Sequence, residues 1–222
     1  VSDHRHPTCT GRALTGVTWA ALLLGLWLWG REITEVRYDA SAPTTGDMAA
    51  AGRPPDVELP PAHRPLDQAL PQRLDIPGLR VRAPVLARGL DERGAPDPPP
   101  FDRPGTVGWY AAGPAPGAAG AALLVGHVDT DTRPAVFHGI GALRPGEKIR
   151  VVRDDAGVAE FTVEDVQVLA RDRFDAHRAY GPRRSGRAEL RLITCGGRFD
   201  RATGAYTANV VVSAYLTGRT GP

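Results

Sequence analysis

The sequence predicts a mostly β domain, closed into a barrel, behind one N-terminal membrane-spanning helix. Three observations lead there. Short apolar runs bounded by Gly, Pro or Asp recur between residues 73 and 218, and no 12-residue stretch of that region keeps a 3.6-residue apolar period. Near the N-terminus, residues 13–30 form a run of 18 without a charge. With 42% hydrophobic and 23% charged residues in a chain of 222, one good core can be buried, so a single folded domain with accessory segments is expected.

The apolar run ALTGVTWAALLLGLWLWG spans about 27 Å as a helix, enough to cross the hydrocarbon of a bilayer. Arg5 and Arg12 precede it, whereas Arg31 and Glu32 cancel after it, which places residues 1–12 as a cytoplasmic tail and the rest of the chain outside the cell membrane. A cleaved signal peptide would end in small residues; Trp27 and Trp29 close this run and suit the membrane interface, in contact with lipid. Residues 31–72, rich in Pro and Ala, read as an extracytoplasmic stalk.

The folded domain is expected over 73–218, with strands near Leu79–Val85, Ala121–Val125, Glu147–Val152, Val158–Val168, Ala188–Thr194 and Asn209–Leu216. Asp154-Asp155-Ala156-Gly157 suits a hairpin loop between two of them. The connections lack crossover helices, which favours a barrel over a parallel sheet, with few and short helices. Basic and acidic residues number 27 and 25 and are spread along the chain, so no nucleic-acid groove is expected.

Cys9 and Cys195 are the two cysteines, and the topology puts them on opposite sides of the membrane, where they cannot pair. An unpaired cysteine outside the cytoplasm is exposed to oxidation, so Cys195 is either a small buried hydrophobe or a reactive thiol. Two runs end alike: Ala121–Val125 leads into Gly126-His127, and Leu190–Thr194 leads into Cys195-Gly196-Gly197. Strand ends are rigid mounting points, and glycine lets a substrate backbone approach. An imidazole near the thiol could favour the thiolate and later protonate a leaving amine. Spacing alone leaves several pairs open, because His4, His6, His63, His138 and His177 are also present.

Other features read as structural. Asp129 and Asp131 with His127 and His138 match no common metal-ligand spacing, and Asp129 suits a hydrogen-bond acceptor. The glycine-rich stretch 113–120 precedes a strand and contains two prolines, so it reads as a flexible loop beside the site and not as a phosphate loop. Trp109 and Tyr110 suit core packing.

The segments IPGLRVRAPV, VGWY, LLVGHVDT, AVFHGI, LRLITCGGRFD and GAYTANVVVSA occur in the order found in sortases, across nearly all of 73–216. The chain resembles that family, and GHVDT with TCGG-x-FD most resembles its class F group. The resemblance implies an eight-stranded β-barrel with Cys195 as nucleophile and His127 as general acid/base. The thiolate would attack the Thr–Gly bond of an LPxTG-like signal on a secreted protein, and a peptidoglycan-precursor amine would resolve the thioacyl enzyme. It also implies no metal or organic cofactor.

The family's arginine is the departure: Asn209 and Thr207 stand where it is expected. Arg201 ranks first as its replacement, followed by Arg198 in the same loop and by Arg191 on the alternation face of Cys195; backbone N–H groups beside Gly196 are a further possibility. Two other functions fit the resemblance. One is a pilin-polymerising sortase, although the stalk has no Asp-Pro-Trp-type plug and leaves open only whether Leu66-Asp67-Gln68 folds over the site. The other is an inactive barrel that binds sorting signals. An L,D-transpeptidase would carry an SHGC-like segment, which the sequence lacks.

Overall fold

The computed structural model describes residues 58–92 and 94–221; the apolar run 13–30 and the expected tail lie outside them. No helix among the described residues is long and apolar enough to cross a membrane. Eight strands are present: β1 (Pro71–Ile76), β2 (Val81–Arg88), β3 (Val107–Tyr110), β4 (Gly120–Val125), β5 (Lys148–Arg153), β6 (Val158–Ala170), β7 (Ala188–Asp200) and β8 (Ala205–Thr220). They close into a barrel in the order β1-β2-β3-β4-β7-β8-β6-β5. The helical content is as small as expected: three 3-10 turns and α1 (Ala176–Tyr180), whose N-cap Asp175 accepts from the N–H groups of His177 and Arg178.

The strand expected over Leu79–Val85 begins two residues later, as β2, and forms a hairpin with β1. Pro77–Leu79 forms a 3-10 turn, Arg80 adopts φ 55°, and its N–H returns to the Pro77 carbonyl, so Ile76 faces Val81 across β1 and β2. Proline supplies the fixed φ that starts such a turn and has no N–H to satisfy. VGWY forms β3, with Trp109 in the core and its Nε1 donating to the Pro114 carbonyl.

Two pairs in the barrel are parallel, β2 with β3 and β4 with β7. A parallel pair needs a long crossover, and residues 89–106 make the first one as irregular chain. The interior holds Leu74, Ile76, Leu124, Ile149, Phe161, Leu190, Leu192 and Val212 among others; each fully buried large aliphatic or aromatic contributes about 1.5–3 kcal/mol. β7 and β8 are buried on their outer face too, where Leu123, Ile193 and Val211 pack under Ala179 of α1. Burial on both faces explains the unbroken apolar runs of these strands.

Residues 58–70, within the segment read as a stalk, lie along the barrel. The Tyr215 hydroxyl donates to the Pro60 carbonyl, the His63 N–H to Leu216 and the Leu66 N–H to Gly117, while Leu66 packs on the core. Arg153 Nη2 donates to the Asp67 carbonyl at 2.6 Å. Leu66-Asp67-Gln68 is thus held near the start of β4, at the opposite end of that strand from Val125. The glycine-rich stretch 113–120 is there as well, with Ala115 and Ala118 buried. It does not flank His127 as the sequence suggested; it leads into the first residue of β4, whereas His127 follows the last.

The outer face of β7 also carries an ion-pair network. Glu189 and Arg191 are fully buried there. Glu189 accepts from the Arg183 and Arg184 N–H groups, from Arg187 Nε at 2.9 Å and from Arg191 Nη2 at 2.5 Å; Arg191 also donates to the Gly181 carbonyl. These bonds staple the β6–β7 connection to the barrel. Burial acts to raise the Glu189 carboxyl, but the Arg183 N–H and the Arg191 and Arg187 guanidiniums outweigh it and hold the group below its usual range. Burial also draws Arg191 down, yet its partner's depression shows that the pair stays ionised. A lowered folded value means stabilisation present in full above the unfolded value of about 4.3 and lost as pH falls through the folded one. In urea unfolding across pH, Glu189→Gln should therefore lose about 3–5 kcal/mol at neutral pH and show a shallower acid decline than wild type. Parallel pH curves for the two proteins would remove this role.

Candidate active site

The segments that carry Cys195 and His127 leave the barrel on the same side because β4 and β7 run parallel. Their register ends at Val125 opposite Ile193, and the Gly126 N–H continues the ladder to the Ile193 carbonyl at 3.2 Å. His127 follows one residue after that last bond, and Cys195 two residues after Ile193. Of the two runs that end alike in the sequence, only β4 stops at Val125; β7 does not end at Thr194 but continues through Cys195, paired with Asn209, to Asp200.

The glycines beside them are required by packing. A Cβ on Gly126 would stand 2.7 Å from Val136 Cγ1 and 2.8 Å from Phe137 Cδ2, and one on Gly196 would stand 2.5 Å from Val210 Cγ2. Gly197 has φ 75°, the left-handed region, at the irregularity where β7 and β8 shift register. Close approach within the domain is thus a reason for these glycines that the sequence reading did not name.

His127 is already engaged on two sides. Its Nε2 lies 2.6 Å from the Pro99 carbonyl oxygen, and the Phe101 ring stacks on it with centroids 4.1 Å apart at 22°. A carbonyl only accepts, so Nε2 carries a proton and Nδ1 is the acceptor of the neutral ring. Phe101 is 68% exposed, so the stack on the imidazole sits at the surface of the domain. Both residues belong to the β2–β3 crossover, a part of the site that the sequence reading missed; the Pro98-Pro99-Pro100-Phe101 run was its only signal. The GHVDT loop is anchored by backbone bonds from Phe137 to His127 and from Ala135 to Val128. Asp129 accepts from the Tyr206 hydroxyl of β8, the acceptor role expected of it. That bond pushes the phenol up to about 12, so Tyr206 remains a donor throughout the neutral range.

Cys195 is exposed and lies directly opposite Asn209 of β8. Although solvent reaches the residue, the protein around the sulfur excludes enough water to raise the thiol above its ordinary value. Arg171 opposes that rise and Asp129 adds to it.

A family model for the sortase domain matches residues 74–217. The chain belongs to the sortase family. Solved sortase structures share the fold. Sortase C-1 from Actinomyces oris is 20% identical with a TM-score of 0.50, over 69% of this chain and 74% of that one. Streptococcus agalactiae sortase C1, in complex with MTSET, is 16% identical with a TM-score of 0.51, over 68% of each chain. Listeria monocytogenes sortase A is 18% identical with a TM-score of 0.50, over 69% and 90%. No curated protein matches the chain.

Within this sortase barrel the three arginines singled out from the sequence are in different situations. Arg191 is on the face of Cys195, as alternation implied, but is consumed by Glu189. Arg198 is exposed; its N–H is bonded to Thr207 Oγ1 at 3.0 Å and its charge acts on Asp200. Arg201 is exposed in the β7–β8 turn.

Two expectations follow for the resting site. Iodoacetamide reacts with the thiolate, so alkylation of Cys195 should be slow at pH 7 and climb through a range above that of an ordinary cysteine, about 8.5; a fast plateau near neutrality would contradict a raised thiol. Removing the stacked ring with Phe101→Ala should speed modification of His127 by diethylpyrocarbonate, followed by peptide mapping, and an unchanged rate would show that the ring does not shield the imidazole.

Proposed function

We propose that the chain is a membrane-anchored sortase of the class F type, a cysteine transpeptidase that joins secreted proteins to an amine of the cell wall. The observation that carries this reading is the parallel β4–β7 ladder, which sends the chain towards His127 and towards Cys195 on the same side of the barrel. The apolar run 13–30 and the charges around it support the anchor and the extracytoplasmic position of the domain.

The chemistry follows from those two groups. Cys195 gives its proton to His127, and the sulfur attacks the Thr carbonyl of an LPxTG-like signal. The tetrahedral intermediate collapses to a thioester as the imidazolium protonates the departing Gly amine. An incoming amine then loses a proton to His127 and displaces the thiol, which is reprotonated. Because the resting thiol is raised, only a minor fraction is thiolate at neutral pH, and the proton acceptor must act in the same step. For His127 to do so, the Pro99 and Phe101 contacts have to yield or the free Nδ1 has to serve.

The test is cleavage of a fluorogenic LPxTG-type peptide by the intact chain, with an added amine and mass detection of the ligated product. Cys195→Ala should abolish turnover, and His127→Ala should lower it by about 10²–10⁴-fold. Peptide binding without thioester or product would favour the inactive signal-binding barrel, a reading motivated by Thr207 and Asn209.

A further inference from the structure

The outer face that carries Cys195 continues across two more strands. Cys195 of β7 is opposite Asn209 of β8, and Asn209 is opposite Leu169 of β6. Leu169 packs with Leu123, Ile193 and Val211, so these residues share one face, and Cys195, two positions beyond Ile193, shares it too. The β6–β8 register runs on to Ala170 opposite Ala208. Ala170 is still extended, at φ −61° and ψ 138°. Arg171, the next residue and two beyond Leu169, therefore returns to the face of Cys195.

The side chain is drawn towards the site. Arg171 Nη1 donates to the Tyr206 carbonyl at 3.4 Å, and Tyr206 also reaches Asp129 in the loop that follows His127. A contact of 3.4 Å is at the weak limit for N–H···O, whose usual length is about 2.9 Å, so little is lost when the guanidinium turns to a better acceptor. The positions on β8 nearest the thiol have nothing comparable to offer. Asn209 is neutral, and Thr207, whose hydroxyl accepts from the Arg198 N–H, carries no charge either.

We propose that Arg171, from the end of β6, is the cation of this active site: it pairs with the Cys195 thiolate and then donates to the oxyanion formed when that sulfur adds to the substrate carbonyl. The inference rests on the acyl-transfer reading given above. The charge balance is simple, because the proton leaving sulfur goes to His127 and the single negative charge moves from sulfur to oxygen while the guanidinium stays protonated. The other groups facing the sulfur are Asp129, which opposes the thiolate, and Tyr206, which stays neutral. Arg171 is the cation among them that favours the anion.

Two readouts on the intact chain test the assignment, with Arg171→Gln, Arg171→Lys, Arg201→Gln and Arg173→Gln compared. Arg173 is a control from the same 3-10 turn, 81% exposed. Without peptide, Arg171→Gln should move the pH profile of Cys195 alkylation upward and slow alkylation at neutral pH, Arg171→Lys should restore part of the shift, and Arg173→Gln should leave it in place. With the fluorogenic peptide, Arg171→Gln should lower kcat by about 10²–10³-fold and change KM little, as expected for a bond made in the transition state. Unchanged thermal unfolding would show that the exposed substitution spares the fold. An unmoved alkylation profile in Arg171→Gln, or a shift produced by Arg201→Gln in its place, overturns the proposal. If the wild-type chain turns over no peptide yet Arg171→Gln still shifts alkylation, the acyl-transfer reading fails while the pairing of Arg171 with the thiolate stands.

Discussion

The parallel pairing of β4 with β7 is the constraint on which the rest depends. Parallel neighbours finish at the same end, so whatever follows Val125 must meet whatever follows Ile193. An antiparallel pair would send His127 and Cys195 to opposite ends of the barrel. The pairing also demands that β5 and β6 intervene between β4 and β7 in sequence, and these two strands close the barrel against β1 and β8. The return from β6 to β7 crosses the outer face as residues 171–187, buries Leu123, Ile193 and Val211 and brings Arg171 to the site. Topology, outer packing and chemistry are consequences of one register.

Burial of polar groups on that outer face serves the same geometry. Glu189 and Arg191 are costly to desolvate, and a well-packed apolar pair would be as stable or more so. What the charges add is direction: Glu189 gathers two backbone N–H groups and two guanidiniums at one point. The connection that carries Arg171 and α1 is thereby held against β7 at a single place, a few residues from the thiol. At the other end of the site the Tyr206–Asp129 bond ties the histidine loop to β8. The thiol lies between two such ties, which limits how far its neighbours can drift.

Much of this was legible in the sequence, and the illegible parts share a cause. The end of β4 before Gly126-His127 could be read because its signal is local, whereas Cys195-Gly196 looked like a strand end and lies inside β7, which resumes pairing past the irregularity at Gly197. The barrel could be read from short apolar runs without crossover helices. The strand expected from Leu79 starts only at Val81, because strand patterning does not weigh the Pro77–Leu79 turn that precedes it. Arg191 was drawn to the right face by alternation, yet Glu189, two residues away on the same face, captures it; alternation counts faces and says nothing about partners. Arg171 was invisible because its approach to Cys195 passes through the registers of β6 with β8 and β8 with β7, and both contain irregularities. The placement of 113–120 failed for a related reason, since a loop's position is known only once the strand it enters has a direction.

The β2–β3 crossover has a thermodynamic consequence of its own. Its Pro99 carbonyl and Phe101 ring are anchored on both sides, by Arg88 at the end of β2 and Val107 at the start of β3, and an Arg88–Asp97 ion pair shortens the tether further. A group held by so short a link is present at an effective concentration of about millimolar or more. The imidazole is therefore never simply vacant; every visitor to Nε2 competes with a resident ligand encoded in the same chain. Apparent affinities at this site are therefore differences between two occupancies, and the Arg88–Asp97 pair enters them through the tether it shortens.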